Sequence, residues 1–180
     1  MFDNNRQREG LTRKQIEESA SIVGSDKIIL EEYDLSGLDL AGIDLHRARF
    51  DRADLSKTDL SQANLESCRF QKVEMEKVDL GHSNLKGADF FRAKMRYALL
   101  QNADLTGAYL GSVDLRDAKL NGANLSKANM HFARLHGADL RDTTLAGANL
   151  KYAEYDEHTL WPTGLDPLLV GAKKVSHHYH

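Results

Sequence analysis

Side chains able to do acid–base or metal chemistry are thinly spread along the regular part of this chain. His131 and His136 stand five residues apart, His46 and His82 lie elsewhere, and the single cysteine is Cys68. A structural metal site needs about four ligands converging on one point. No stretch reads as a phosphate-binding glycine loop or a nucleophile elbow, and no paired carboxylates are set for acid–base work. The sequence therefore implies no catalytic residue, no cofactor and no metal, although the tail His177-His178-Tyr179-His180 would chelate adventitiously. The chemistry left is recognition. Phe91, Tyr109, Phe132 and Tyr152 are candidates for an aromatic contact surface, and Arg49, Arg52, Arg69, Lys72 and Arg92 for a basic patch. Whether they form surfaces depends on the elements that position them.

Those elements are set by an unusual period. Every fifth residue from Leu30 to Leu160 is large and apolar. It is Leu except at Phe50, Phe70, Phe90, Met75, Met95, Met130 and Tyr155. Two residues before each stands a smaller one, most often Ala, as in Ala53-Asp54-Leu55, Ala103-Asp104-Leu105 and Ala123-Asn124-Leu125. A helix repeats at about 3.6 residues and a strand at 2, so period five fits neither. A small and a large inward residue separated by one outward residue make a short extended segment. The two that remain, such as Ser36-Gly37, Thr106-Gly107 and Asn121-Gly122, suit a tight corner. Four such sides close a square coil, and successive coils stack at strand spacing, about 4.8 Å. Six to seven coils make a rod about 30 Å long.

The pattern A-(D/N)-L-X-X resembles the pentapeptide-repeat family. The resemblance implies an all-β fold: a right-handed quadrilateral β-helix, a solenoid of about six to seven coils. The family includes proteins that protect DNA gyrase from quinolones or toxins, and many others from bacteria, cyanobacteria and plastids. The sequence divides into an N-terminal capping helix (1–25), the repeat (26–160) and a C-terminal cap and tail (161–180).

Both ends of a stacked coil expose strand edges and need covers. Thr12 and Gln15 form a capping box, and Leu11 with Ile16 a hydrophobic staple. Ile16, Ala20 and Val23 share one face, and Gly24 is placed to end the helix. Ile28, Tyr33, Leu38 and Ile43 are bulkier than the alanines of later coils and fill the space beneath it. At the other end Asp166-Pro167 reads as N-cap and first residue of a short helix through Leu168, Leu169 and Val170.

Residues 20 apart fall on one side of the rod. Phe50, Phe70 and Phe90 become a core stack, and Met75 and Met95 yield volume beside them. Cys68 falls in the small column as a buried filler. Asp39, Asp59, Asp79 and Asp34, Asp54, Glu74 form acidic ladders that end at Leu99 and Lys94. The chain has 24 basic and 27 acidic residues and a net charge of −3, so direct nucleic-acid binding is not expected. The polar start Met1–Arg8 and the absence of a long apolar run imply the cytoplasm and no membrane span. The expected role is a non-enzymatic rigid scaffold or protein–protein interaction module with an unidentified protein partner. A homodimer through the C-terminal half would cover the aromatic residues. The alternative is a DNA-mimicking protein that binds and protects a type II topoisomerase.

Overall fold

The computed structural model describes residues 11–175. The polar start Met1–Arg8 and the tail His177–His180 lie outside them.

From Ile29 onward the chain pairs with itself in parallel at an offset of 20 residues. One side runs Ile29, Arg49, Arg69, Asp89, Tyr109, Asn129, Asn149; the next runs Asp34, Asp54, Glu74, Lys94, Asp114, Arg134, Glu154. Each five-residue unit is one side of a square, as the period requires.

The unit can be explained by following its N–H groups around Leu55. Leu55 donates to the Glu74 carbonyl at 2.7 Å, and Lys57 to Glu76 at 2.9 Å, both one coil up. Asp59 donates one coil down to Leu38 at 2.9 Å. Thr58 closes the corner onto Leu55 at 3.1 Å. Only Ser56 is left, and the Asp54 carboxylate accepts its N–H at 2.9 Å. The Asp or Asn before each large residue is thus the acceptor for the one donor that the ladder leaves over. The same bond recurs at Asp34, Asp79, Asp104, Asn124 and Asn149. Where Arg69 replaces the acid, Asp51 from the coil below takes the Gln71 N–H at 3.1 Å.

Each corner places its second residue at positive φ. Gly37, Gly42, Gly87, Gly107, Gly122, Gly137 and Gly147 fill seven of these positions; the others hold larger residues, including Arg52 (φ 60), Gln62 (φ 59), Tyr97 (φ 59), Phe132 (φ 60) and Tyr152 (φ 64). Side chains other than glycine are strained there.

Inside, the large column is buried at every step from Leu30 to Leu140. Leu35, Leu55, Phe70, Met75, Leu105 and Leu135 are all 0% exposed. Phe50 and Phe70 stack at 4.8 Å between ring centres, as do Phe70 and Phe90, with planes 14° and 8° apart. Cys68 is buried in the small column, its Sγ 2.9 Å from the Leu45 carbonyl, and burial pushes its thiol up to about 12. Thr58 occupies the same column and bonds the Leu35 carbonyl at 2.9 Å.

Helix α1, Arg13–Val23, covers the first coil with the capping box at Thr12 and Gln15 in place. Ile16 is 1% exposed and joins the core, against which Leu11, Ala20, Tyr33 and Leu38 also pack. Arg13 anchors the helix, reaching the carbonyl of Ala41 at 3.0 Å and the Asp39 carboxylate at 3.3 Å. Val23 departs from the expected buried face: it is 43% exposed, because the chain leaves the helix at Gly24 (φ 85) before that face reaches the coil.

The C-terminal end differs from expectation in two ways. The five-residue register slips by one. Asp139 pairs with Leu160, an offset of 21, so Leu160 sits on the outward strand position and is 43% exposed. Trp161 instead packs against the core, edge-on to Tyr155 at 5.3 Å. Second, residues 167–171 make a turn, not an α-helix. The Asp166 side chain does accept from Leu168 at 2.9 Å in the manner of a cap, but Gly171 (φ 86) ends the turn. The chain then re-enters the ladder. Strand β2 (Lys173–Lys174) pairs in parallel with β1 (Glu154–Tyr155), and Ala172 closes over the small column at 5% exposure. A strand, not a helix, caps this end.

Candidate interaction surface

Along the coils it is the corner residues and the outward strand residues that reach solvent, so they define any site on the rod. Phe91 opens one corner, Tyr109 lies on the outward strand above it, and Phe132 and Tyr152 stand at left-handed corner positions of successive coils. The rings form two groups. Phe91 and Tyr109 lie 6.0 Å apart, tilted by 44°. Gly111 makes room for them: a Cβ there would meet Tyr109 at 3.2 Å and Phe91 at 3.3 Å. Phe132 stacks on Tyr152 at 5.3 Å, and His131 stands edge-on to Phe132 at 4.1 Å. Phe132 is 51% exposed and Tyr109 44%.

The second group carries two ammonium groups. Lys151 lies 5.1 Å from the centre of the Tyr152 ring and Lys173 lies 4.7 Å from it. This is cation–π geometry. Lys173 arrives there because β2 re-enters above Tyr152. His131 and the β2 lysines were not among the sequence candidates. His131 could have been found from its place at a corner beside Phe132; Lys173 depends on the re-entrant strand, which no repeat signals.

The basic patch is a ladder of ion pairs. Arg49 meets Glu31 at 2.6 Å, Arg52 meets Glu32 at 3.4 Å, and Arg69 meets Asp51 at 2.8 Å. Lys72 lines the same shallow trough, and Arg92 lies over the Phe91 ring at 5.0 Å. Three of the five bases are therefore paired with carboxylates. A third aromatic corner lies on another edge, with Arg96 4.8 Å and Lys77 5.7 Å from the Tyr97 ring.

Further up, Asp114 is the most heavily engaged carboxylate. Burial would raise its pKa, but the Arg116 guanidinium at 2.5 Å, with Arg134 at 3.5 Å, holds it below the usual range. The histidines do not converge: His131 is in the aromatic group, His136 is buried, and His46 bonds Ser25 and Asp44. Among the described residues no group of three His, Cys, Asp or Glu could hold a metal ion, and no helix is long and apolar enough to cross a membrane.

A coil built from five-residue sides, with Asp or Asn caring for the spare N–H and Ala leaving room for Leu, defines a class. The pentapeptide repeat region family matches residues 43–120, and the eight-copy pentapeptide repeats match 108–147 and 128–154. Together they cover well over half of the chain, which belongs to the pentapeptide-repeat family. Solved structures with similarity include a pentapeptide repeat protein of the Arabidopsis thaliana thylakoid lumen. That protein is 35% identical with a TM-score of 0.45; the match covers 58% of this chain and spans 66% of the Arabidopsis protein. HetL of Nostoc sp. strain PCC 7120, involved in heterocyst differentiation regulation, is 25% identical over 72% of each chain, TM-score 0.35. QnrB1, a plasmid-mediated fluoroquinolone resistance protein, is 21% identical over 93% of this chain and 87% of its own, TM-score 0.40. No curated protein matches this chain.

Proposed function

We propose that this chain is a non-enzymatic rod, a right-handed coil of six to seven turns, whose upper aromatic corner docks a partner protein. The observation that carries the reading is Phe132. It is 51% exposed, on a left-handed corner of the kind that glycine fills at seven other places. A large apolar side chain at such a place stores strain and forfeits burial, and a partner that covers it recovers the burial. A core filled with Leu and Phe leaves no interior cleft for a substrate.

A photo-crosslinking amino acid at position 132, expressed in the source cell, tests this. A discrete protein adduct is expected at 132, and none from the same group placed at Gln62 on another side. No adduct at 132, or equal adducts at both, overturns the reading.

Two other occupants stand as alternatives. A second copy across the C-terminal half would show as a dimer in sedimentation that a Phe132→Ser, Tyr152→Ser variant loses. Two convex corners meet along a line, however, whereas a stable interface covers about 800 Å² on each partner. A topoisomerase that reads the rod as duplex DNA is supported by the carboxylates stacked at Asp39, Asp59 and Asp79. Against it, Leu99 and Lys119 continue that column, and Lys94 neutralises Glu74 at 2.6 Å. Protection of DNA gyrase from a quinolone by the purified chain would favour that reading.

A further inference from the structure

We propose that the Phe132–Tyr152 corner binds an extended acidic segment carrying an apolar or aromatic side chain. The inference rests on the docking role above and names its partner's chemistry. Three observations point to it. First, the corner is basic. Lys151 and Lys173 flank the Tyr152 ring. Second, these charges are unspent. Among the described residues neither ammonium is in an ion pair, whereas Arg49, Arg52 and Arg69 lower on the same side each hold a carboxylate. Glu154 is in register with Lys173, yet the ammonium stands over the ring instead of closing on that carboxylate. Third, the apolar target is small: the stacked pair Phe132–Tyr152 with His131 at its edge.

This combination selects among partners. A single exposed ring pair accommodates one apolar side chain. The lysines on either side then meet carboxylates that flank that side chain in sequence, because an extended chain advances about 3.3 Å per residue. A nucleic acid would need a basic stripe continuing down the rod. Here the corner below carries Tyr109, Gly111 and Ser112, and below that Asp89 precedes Arg92. Charge complementarity of this kind sets the rate of association and its salt dependence.

The test uses the full chain and three fluorescently labelled probes. These are a short Asp/Glu-rich peptide with a central Phe, the same peptide with Lys for each acid, and a single-stranded oligodeoxynucleotide. Anisotropy should rise with the acidic peptide alone, and its affinity should fall with added salt. A Lys151→Glu, Lys173→Glu variant should lose at least about tenfold in affinity. Phe132→Gly should also lose binding while keeping or raising the melting temperature, because it relieves a left-handed corner. Binding of the basic peptide or the oligonucleotide in place of the acidic one overturns the inference. So does an affinity unchanged by the charge reversal. An adduct at position 132 together with no acidic-peptide binding would leave the docking role standing and remove only the acidic partner.

Discussion

The carboxylate of Asp156 takes the place of a main-chain carbonyl for Gly137. Its Oδ1 accepts the Gly137 N–H at 2.9 Å, where one coil below the Asp117 N–H is received by the carbonyl of His136, also at 2.9 Å. The same oxygen accepts from His158 N–H at 3.1 Å and from the Thr159 hydroxyl at 3.0 Å. One side chain thus ends the regular ladder and absorbs the extra residue that shifts Leu160. Asp156→Ala would leave Gly137 without an acceptor and should destabilise the chain by about 1–3 kcal/mol. Urea unfolding followed by circular dichroism would show it, and an unchanged midpoint would deny Asp156 this role.

Acid should weaken the fold through such groups. Burial alone would raise the pKa of Asp156, but the Gly137 N–H, Thr159 and His158 bring it below the usual value. Asp139 is lowered by its hydrogen bond from Arg141, and Asp34 by those from Ser36. An unfolded Asp titrates near about 3.9. A carboxyl with a lowered folded pKa binds its proton first in the unfolded chain. Its stabilisation is complete above about pH 4 and is lost as pH falls through the folded value. Melting temperature should therefore be flat near neutrality and drop below about pH 4. In Asp156→Asn that drop should be shallower, and a drop as steep as in the wild type would place the acid sensitivity elsewhere.

Left-handed corners make a stabilising substitution available. Gln62 is exposed at φ 59, with its N–H on the Gly81 carbonyl at 2.9 Å, a bond that glycine keeps. The strain relieved is about 1–2 kcal/mol and the entropy added to the unfolded chain about 0.5–1 kcal/mol. Gln62→Gly should therefore gain several tenths of a kcal/mol to about 1. Differential scanning calorimetry decides, and a lower melting temperature would show that these corners are not strained.

In mid-stack the sign reverses. Leu100 is 1% exposed. Leu100→Asp would bury a carboxylate without a partner and cost several kcal/mol. Insoluble expression or loss of the β signal is the expected result; a soluble variant with unchanged melting would contradict the register of the coil.

Removing residues 1–24 takes away α1 and uncovers Ile28 and Tyr33 with the first strand edge. Light scattering should show concentration-dependent association. A truncated chain as monodisperse and heat-stable as the whole one would mean that α1 is not a cover.

The two core columns were legible because each is fixed by a short-range rule: one large and one small residue per side, and an Asp or Asn for the spare N–H. Thr12 and Gln15 were legible for the same reason. Leu160 was misleading because its type suits the core column that it does not join. The readable warning is His158, too large for the small column, beside Thr159, which fits it and bonds the Leu135 carbonyl at 2.9 Å. Asp166-Pro167 carried a true capping signal. A helix did not follow because the segment has no face to bury: Leu168 is 61% and Leu169 85% exposed. The surface was least legible. Charge partners such as Arg49 and Glu31 are 18 residues apart, and Lys173 reaches Tyr152 only through a strand outside the period.

The fixed offset between Ile29 and Arg49, repeated upward to Asn149, ties the length of this chain to its orientation. Inserting one five-residue side below Phe132 would leave every coil intact and every bond of the ladder replaceable. Yet it would carry the Phe132–Tyr152 corner a quarter turn around the axis, away from its bearing relative to α1. Only a change of four sides restores that bearing. Drift in the number of repeats therefore moves the upper corner like a hand on a dial, and a partner that touches both ends of the rod would accept gains or losses of whole coils alone.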